Sequence, residues 1–206
     1  MKNEMTRICF VRHGETDWNK TQRMQGHIDL ALNANGEAQA VAAGRYFAGL
    51  QAAALYSSDL QRARQTAQAI ADALHLPMIL LPALRERHFG RCEGMTFDEI
   101  AATNIEDARA IERRDPDYAT PGGGESLRQH HARILNCIGE LVSAHIGQTI
   151  VVVTHGGVLD VIYCRAHGLP PETPRSYPIP NTGINWVGID GERWVIERWG
   201  DTAHLR

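Results

Sequence analysis

Short apolar runs alternate with amphipathic helical patterns along most of this chain. Strand-like runs lie at 7–11, 52–56, 78–81, 149–153, 184–189 and 193–199. Helical patterns lie at about 35–49, 59–74, 97–101, 105–114, 125–146 and 157–167. This alternation predicts an α/β fold, a three-layer αβα sandwich with a mostly parallel central sheet. The uninterrupted run Val151-Val152-Val153 is typical of a central strand that is buried on both faces.

Capping and turn signals mark the ends of several of these elements. A Ser or Thr followed three residues later by Glu or Gln predicts a capping box at a helix start. Such pairs are Ser58 with Gln61, Thr96 with Glu99, Thr103 with Glu106 and Ser126 with Gln129. The dipeptide Asp190-Gly191 predicts a hairpin between the last two strands, and the Pro- and Gly-rich segment 115–124 predicts a loop.

The chain length favours a single domain. At 206 residues the chain can form one sizeable hydrophobic core, so we predict one domain over 1–206. The part from about 84 to 124 separates a strand from a long helical pattern. We expect it to be an insertion that covers the edge of the sheet and acts as a lid over the pocket.

The overall charge argues against nucleic acid as a partner. The formal net charge is −3, with 43% hydrophobic and 22% charged residues. This composition is typical of a globular domain and gives no bulk attraction to nucleic acid or to an anionic membrane surface. An anionic substrate would therefore have to be bound by a local basic pocket.

Cysteine usage and the start of the chain favour a cytoplasmic protein. The four cysteines are widely separated and form no C-x-x-C pair: Cys9, Cys92, Cys137 and Cys164. This spacing argues against a disulfide framework and against a zinc site, so a reducing compartment is expected. The run 8–11 is too short for a signal-peptide core or a membrane span. We therefore expect a soluble, cytoplasmic protein.

The tripeptide Arg12-His13-Gly14 follows the first strand-like run directly. The carboxyl ends of strands line the ligand crevice of α/β proteins, so an imidazole and a guanidinium are delivered together to that crevice. A neutral imidazole can attack phosphorus and form a phosphohistidine, while a guanidinium holds the phosphate oxygens. An isolated histidine is more often structural, so this reading depends on what the rest of the chain supplies.

Three further motifs carry residue types that suit phosphoryl transfer. Arg62 lies in the first turn of a helix that follows a short strand, and Glu86 lies in the charged loop Leu84–Gly90. His155 ends a buried strand in Thr154-His155-Gly156-Gly157. Free backbone amides at the helix start there make a natural anion site.

These motifs in this order resemble the histidine phosphatase superfamily, also called the phosphoglycerate mutase-like family, over residues 7 to about 165. The resemblance implies a phosphoglycerate mutase-like fold and a metal-independent reaction through a phosphohistidine. It implies that His13 is the nucleophile, that Glu86 is general acid and then base, and that Arg12, Arg62 and His155 hold the phosphoryl group. It also implies substrate or phosphate contacts from Asn19, Gln25, Gly26, Arg87 and Gly156.

Family membership leaves the fate of the phosphohistidine open. Mutases of the family surround a substrate carboxylate with an arginine, a tyrosine and a lysine. Here the arginine is kept as Arg87, but Phe89 and Phe97 stand at the other two positions, and Gln25 replaces a loop serine. These differences favour a small phosphatase that acts on a phosphorylated metabolite.

Two alternatives remain. Arg113-Arg114 could align with an arginine pair of the mutases, and a mutase would need 2,3-bisphosphoglycerate as its cofactor. The second alternative is a phosphate-binding module without turnover. If the protein is a phosphatase, we expect its partner to be a small-molecule phosphate ester and expect no cofactor. The sequence is also compatible with a homo-oligomer.

Some polar residues receive a purely structural interpretation. Arg64 is expected to be a solvated helix arginine, and Ser126 a helix cap. His130-His131 lies on a long helix, where adjacent side chains cannot both face one metal. We therefore expect both histidines to be exposed.

Overall fold

The computed structural model describes residues 5–206, and a six-stranded sheet lies at the centre of that part of the chain. The strands are β1 (Thr6–Arg12), β2 (Ala54–Ser57), β3 (Met78–Leu80), β4 (Thr149–Thr154), β5 (Ile184–Asp190) and β6 (Arg193–Asp201). Their order in the sheet is β3-β2-β4-β1-β5-β6. The first four pair in parallel, whereas β5 and β6 run antiparallel. The first four residues of the predicted domain 1–206 lie outside the described residues.

Helices cover both faces of this sheet. The helices of the described residues are α1 (Asp17–Lys20), α2 (Ala34–Phe47), α3 (Gln61–Leu74), α4 (Phe97–Thr103), α5 (Ile105–Glu112), α6 (Leu127–Ala144) and α7 (Gly156–His167), of which α2 and α3 cover one face and α6 and α7 the other. Successive side chains of a strand point to opposite faces. In β1, Ile8 and Phe10 pack with α6 and α7, while Cys9 and Val11 pack with α2 and α3. The predicted three-layer αβα sandwich with a mostly parallel sheet is thereby confirmed.

Of the four capping boxes predicted from the sequence, the structure confirms two and contradicts two. The boxes of Thr96 with Glu99 and Ser126 with Gln129 are confirmed at the starts of α4 and α6. The box predicted for Ser58 is wrong, because Leu60 occupies the N-cap position of α3.

The box predicted for Thr103 is also wrong. Asn104 caps α5 and accepts from the backbone N–H of Asp107, since Thr103 is still the last residue of α4. The short helix α1 carries a box that the Glu/Gln pattern misses, because Asn19 takes the third position after Thr16.

The expectation that His130 and His131 are exposed is wrong. They are 2% and 8% exposed, respectively. Adjacent residues of a helix can both lie in one wide apolar stripe. Here both histidines extend the buried stripe of α6, whose other members are Leu127, Ile134, Cys137, Ile138 and Leu141. The spacing of those apolar residues could have revealed this.

The segment 84–124 has a small apolar cluster of its own. Cys92, Ile100 and Ala108 form its buried centre, and α4 and α5 supply the last two. Residues 115–124 form turns and irregular backbone, as the Pro and Gly content predicts. The hairpin between β5 and β6 turns at Gly191 with φ +57°. Within residues 5–206, the helices are all too short or too polar to cross a bilayer.

Candidate active site

Two histidines meet at the carboxyl edge of the sheet. Strands β1 and β4 are parallel neighbours in which Arg12 lies opposite Thr154, so the next residues, His13 and His155, emerge side by side. The backbone N–H of His13 donates to the Thr154 carbonyl at 2.9 Å. The ring centroids of the two histidines are 5.2 Å apart. The strand order therefore brings together two residues that are distant in the chain.

The geometry of His13 leaves one ring nitrogen available for nucleophilic attack. Its Nδ1 lies 2.7 Å from the Gly14 carbonyl oxygen, and because a carbonyl only accepts, Nδ1 carries the hydrogen. The lone pair is then on Nε2. Burial, followed by the charges of Arg62 and Arg12, holds the pKa of His13 well below its ordinary value. The imidazole is therefore neutral near pH 7.

Arg12 and Arg62 present buried donors beside His13. Arg62 is 0% exposed, and its terminal nitrogens donate to the carbonyls of Gly26 (2.7 Å) and Ile28 (2.8 Å). Arg12 donates to the Ile179 carbonyl at 2.6 Å. The Nε atoms of both arginines are buried without a partner among the described residues. Burial lowers the pKa of each guanidinium to about 10, so both remain charged near pH 7.

His155 sits at the N-terminus of α7 and faces Ser58. Its Nε2 is 2.8 Å from the Ser58 hydroxyl oxygen, while its Nδ1 is buried without a partner in the part of the chain that the structure describes. Burial, Arg62 and His13 together hold the pKa of His155 well below the ordinary value. A neutral ring whose second nitrogen is unpaired can donate a hydrogen bond to an anion.

Glu86 is held at the start of α7. One carboxylate oxygen accepts from the backbone N–H of Gly157 and the other from that of Arg87, both at 2.8 Å. A Cβ on Gly157 would lie 2.0 Å from Glu86 Oε1, so the glycine makes room for the carboxylate. A Cβ on Gly156 would lie 3.6 Å from Arg12 Nε. The α7 N-terminus therefore brings the acid close to the first arginine.

The remaining predicted ligands occupy different places around this centre. Gly26 has φ +50° and turns its carbonyl towards Arg62. Its neighbour Gln25 is 8% exposed, and its Oε1 is unpaired among residues 5–206. Asn19 uses its Oδ1 to accept from the Thr16 backbone N–H at 3.1 Å, as part of the α1 cap. The side-chain oxygen of Asn19 is thus tied to its own helix.

Sequence reasoning missed three residues that hold the site together. Ser58 contacts His155, as described above. Asn181 donates through its side chain to the His13 carbonyl at 2.9 Å. The Thr66 hydroxyl accepts from the Gly14 backbone N–H at 2.9 Å. Of these three, only Ser58 could have been found from the sequence, because it directly follows β2 at the carboxyl edge of the sheet.

A cavity of about 520 Å³ opens beside Arg12 and Glu86. The residues that line it include Arg12, Glu86, Arg87, Phe89, Glu112, Arg114, His130, Gly156, Asp160 and Arg175. Arg87 is 7% exposed and donates to the carbonyls of Glu125 (2.8 Å) and Tyr118 (3.2 Å). Of the sequence pair Arg113-Arg114, Arg113 is exposed and only Arg114 reaches the cavity wall.

Asp160 joins this wall to α7. It is 3% exposed and accepts from Arg114 (2.6 Å), Arg175 (3.1 Å) and the Tyr177 hydroxyl (2.6 Å). Burial alone would raise the pKa of Asp160, but Arg175, Tyr177 and Arg114 outweigh it, so that pKa is lowered. Arg114 adopts φ +53°, in the left-handed region of backbone conformation.

We expect Asp160→Ala to destabilise the protein strongly. Removal of one partner from a fully buried ion pair costs about 3–5 kcal/mol. We expect a loss that approaches this range, because Asp160 is buried while the side chains of Arg114 and Arg175 are 17% and 42% exposed. Urea denaturation at pH 7 measures the loss in the free energy of unfolding. The matched control is Asp117→Ala, which breaks the pair with Arg128 whose side chains are 69% and 64% exposed, and exposed pairs contribute about 1 kcal/mol or less. Equal losses in the free energy of unfolding of the two variants would contradict the assignment of Asp160 as a buried ion-pair partner.

Stability is expected to fall as the pH drops below about 6.5. Burial holds the pKa values of His13, His130 and His155 well below 6.5 in the folded state. The unfolded chain then binds more protons than the folded one, so each histidine removes up to about 1.4 kcal/mol per pH unit. The contribution is complete above pH 6.5 and is lost progressively towards the folded pKa. Carboxylates with lowered pKa values lose their contributions only at lower pH.

Urea denaturation at pH 7.0, 6.0 and 5.0 tests this dependence. His130→Gln should reduce the slope, because it removes one of the three titrating rings. A free energy of unfolding that stays constant over this range would rule out the buried neutral histidines.

The described residues contain no group of three or more His, Cys, Asp or Glu side chains placed to hold a metal ion. The charges that face His13 in these residues are instead those of arginines.

Comparison with known proteins agrees with this geometry. The family model of the histidine phosphatase superfamily (branch 1) matches residues 8–202. The chain is 38% identical over 207 residues to a metal-independent phosphoserine phosphatase from Arabidopsis thaliana, which covers 100% of this chain and 85% of the relative. It is 40% identical over 201 residues to phosphoglycerate mutase-like protein 4 from the same plant, over 96% of this chain and 86% of that protein.

A solved structure extends the comparison to the fold. A phosphoserine phosphatase mutant from Entamoeba histolytica in complex with phosphoserine matches with a TM-score of 0.87 and 28% identity, over 98% of this chain and 100% of the other. The family model spans nearly the whole chain, and the relatives align along almost its full length. The protein therefore belongs to the histidine phosphatase superfamily, branch 1.

Proposed function

We propose that this protein is a metal-independent phosphatase that hydrolyses a small phosphorylated metabolite through a phosphohistidine on His13. One observation carries the proposal: the Nε atoms of Arg12 and Arg62 and the Nδ1 of His155 are buried and unpaired within residues 5–206. Buried polar groups are nearly always hydrogen-bonded. Three such groups around a neutral imidazole fit a phosphoryl group, whose oxygens accept hydrogen bonds.

The first step transfers the phosphoryl group to the enzyme. The Nε2 lone pair of His13 attacks phosphorus, and the bond between phosphorus and the ester oxygen breaks. Arg12, Arg62 and His155 hold the three other oxygens as charge spreads over them. Glu86 in its protonated form gives its proton to the leaving oxygen, which departs as an alcohol.

The second step releases phosphate. The Glu86 carboxylate takes a proton from water, and the water oxygen attacks phosphorus. The bond between phosphorus and His13 then breaks, and the imidazole returns to its neutral form. Glu86 is again protonated, so the cycle closes without a metal ion or an organic cofactor.

A phosphoglycerate mutase is the second candidate. The side chain of Arg114 on the cavity wall favours it, since a second cation there suits a substrate carboxylate. Phe89 on the same wall and Phe97 on α4 favour the phosphatase, because neither side chain replaces the hydroxyl and the ammonium of the mutases. The 38% identity to a metal-independent phosphoserine phosphatase also supports hydrolysis. We propose that the partner is a small-molecule phosphate ester of the cytoplasm.

A paired assay distinguishes hydrolysis from isomerisation. The protein is incubated with 3-phosphoglycerate, with and without 2,3-bisphosphoglycerate, and both inorganic phosphate and 2-phosphoglycerate are measured. We expect the protein to release inorganic phosphate from 3-phosphoglycerate without forming 2-phosphoglycerate. We also expect it to release phosphate from p-nitrophenyl phosphate. Rapid isomer formation that depends on the bisphosphate would instead show a mutase. Phosphate binding without turnover of any ester would show the non-catalytic module.

Metal removal should leave turnover unchanged. Arginines and His155 supply the electrostatic stabilisation that a metal ion supplies in other phosphatases. We therefore expect the rate of p-nitrophenyl phosphate hydrolysis after dialysis against EDTA to match that of the untreated protein. A large loss that Mg²⁺ or Zn²⁺ restores would contradict the metal-independent reaction.

A further inference from the structure

His130 is a buried polar side chain of the cavity that the two-step reaction does not use. It lies in the first turn of α6, is 2% exposed and lines the cavity wall. Its Nε2 is buried and unpaired in the part of the chain that the structure describes. Buried polar groups normally have hydrogen-bond partners, so we expect a bound ligand to supply the partner of the His130 imidazole.

The position of His130 defines which part of a ligand it meets. A Cβ on Gly157 would lie 2.0 Å from Glu86 Oε1 and 3.2 Å from His130 Cε1. The carboxylate and the imidazole thus flank the same point above Gly157. Because Glu86 protonates the ester oxygen in the proposed function, His130 faces the leaving-group atoms close to that oxygen.

Burial, together with the nearby positive charges, keeps the His130 ring neutral. Burial, followed by the charges of Arg133, His131 and Arg87, lowers the pKa of His130 well below its ordinary value. A neutral imidazole offers one donor and one acceptor. Arg87, Arg114 and Arg175 line the same cavity, and arginine side chains suit a carboxylate. His130 therefore complements them with a neutral hydrogen bond.

We propose, resting on the proposed function, that His130 is a specificity-determining residue. It hydrogen-bonds a hydroxyl or amino substituent on the carbon next to the ester carbon. The preferred substrates are then phosphate esters of small hydroxy or amino acids, rather than simple alkyl phosphates.

Three esters with the same chain length and the same carboxylate test this assignment. They are 3-phosphoglycerate with a hydroxyl, O-phosphoserine with an amine, and 3-phosphooxypropionate with neither. A site built to bind a polar substituent discriminates against the analogue that lacks it. We expect wild-type kcat/KM for at least one of the first two to exceed that for the third by about tenfold or more.

Substitutions at position 130 should change this ratio. His130→Phe, which keeps the ring shape, is expected to reduce the ratio to about twofold or less. His130→Gln, which keeps a polar atom near the Nε2 position, should retain more of the preference. His131→Phe is the matched control, because it replaces the adjacent buried histidine of α6 and should keep the wild-type ratio.

The outcomes separate this proposal from the proposed function. An unchanged ratio in His130→Phe would overturn it, as would equal losses on all three esters and on p-nitrophenyl phosphate. If that variant fails to fold in a thermal melt, His130→Asn decides, because its shorter amide cannot reach the Nε2 position and the ratio must fall. Failure of the wild-type protein to hydrolyse p-nitrophenyl phosphate would instead contradict the phosphatase itself.

Discussion

Replacing His13 by alanine is expected to lower kcat/KM for every phosphate ester by at least about 10⁴-fold, as loss of a covalent nucleophile does in other enzymes. Alanine removes the only group placed to form the phosphoenzyme in the proposed reaction, while Arg12, Arg62 and His155 stay in place. The variant should therefore still bind phosphate. Steady-state kinetics with p-nitrophenyl phosphate and competitive inhibition by inorganic phosphate measure the two properties separately.

Covalent labelling provides the sharper test of the same variant. Wild-type protein that is mixed with a ³²P-labelled ester and quenched in alkali should retain label on one histidine, and His13→Ala should retain none. His167→Ala, which replaces an exposed histidine at the end of α7, is the control and should label as the wild type does. Undiminished turnover in His13→Ala would remove His13 from the reaction.

Glu86→Gln is expected to slow hydrolysis according to the leaving group. Glutamine keeps the size of the side chain and can still accept from the backbone N–H of Gly157, but it cannot donate a proton as an acid. General acid–base catalysis contributes about 10²–10⁴-fold, so an alkyl ester such as 3-phosphoglycerate should lose a factor in that range. p-Nitrophenyl phosphate should lose far less in its first step, because its leaving group needs little protonation.

The comparison of the two esters makes the result specific to proton transfer. Kinetics of phosphoenzyme formation, measured by rapid quench, isolate the first step from the hydrolysis of the phosphohistidine. Glu112→Gln is the matched control, since it changes an exposed carboxylate on the wall of the same cavity. Equal losses on both esters in Glu86→Gln would show that Glu86 positions groups rather than donating a proton.

Local sequence patterns were sufficient for the strands and for six of the seven helices of the described residues, but they missed the short helix α1. The apolar runs predicted all six strands of the described residues, because strands in a sheet that is covered on both faces carry short, nearly continuous apolar runs. The residues after β1 and β4, His13 and His155, followed from the same reasoning. Helix starts were less predictable, as Ser58 shows, because a capping side chain can bind a distant residue instead of its own helix.

The arginine pair and the histidine pair show what a local pattern cannot decide. Arg113 and Arg114 are equivalent by sequence, yet only Arg114 turns to Asp160. His130 and His131 were both expected in solvent, and both are buried. For the histidines the outcome depends on which face of α6 packs against the rest of the protein. For the arginines it depends on the turn that follows α5, where Arg114 adopts φ +53°.

By itself, the sequence determined the fold class, the family and the residue types available for phosphoryl transfer. These properties follow from short-range periodicity and from motifs only a few residues long. Tertiary structure alone decided which atoms face one another: Ser58 meets His155 across 97 positions of the chain, and Asn181 supports His13 across 168. The physical reason is that such contacts arise from the strand order β2-β4-β1-β5, which joins distant segments and is not encoded in any one of them.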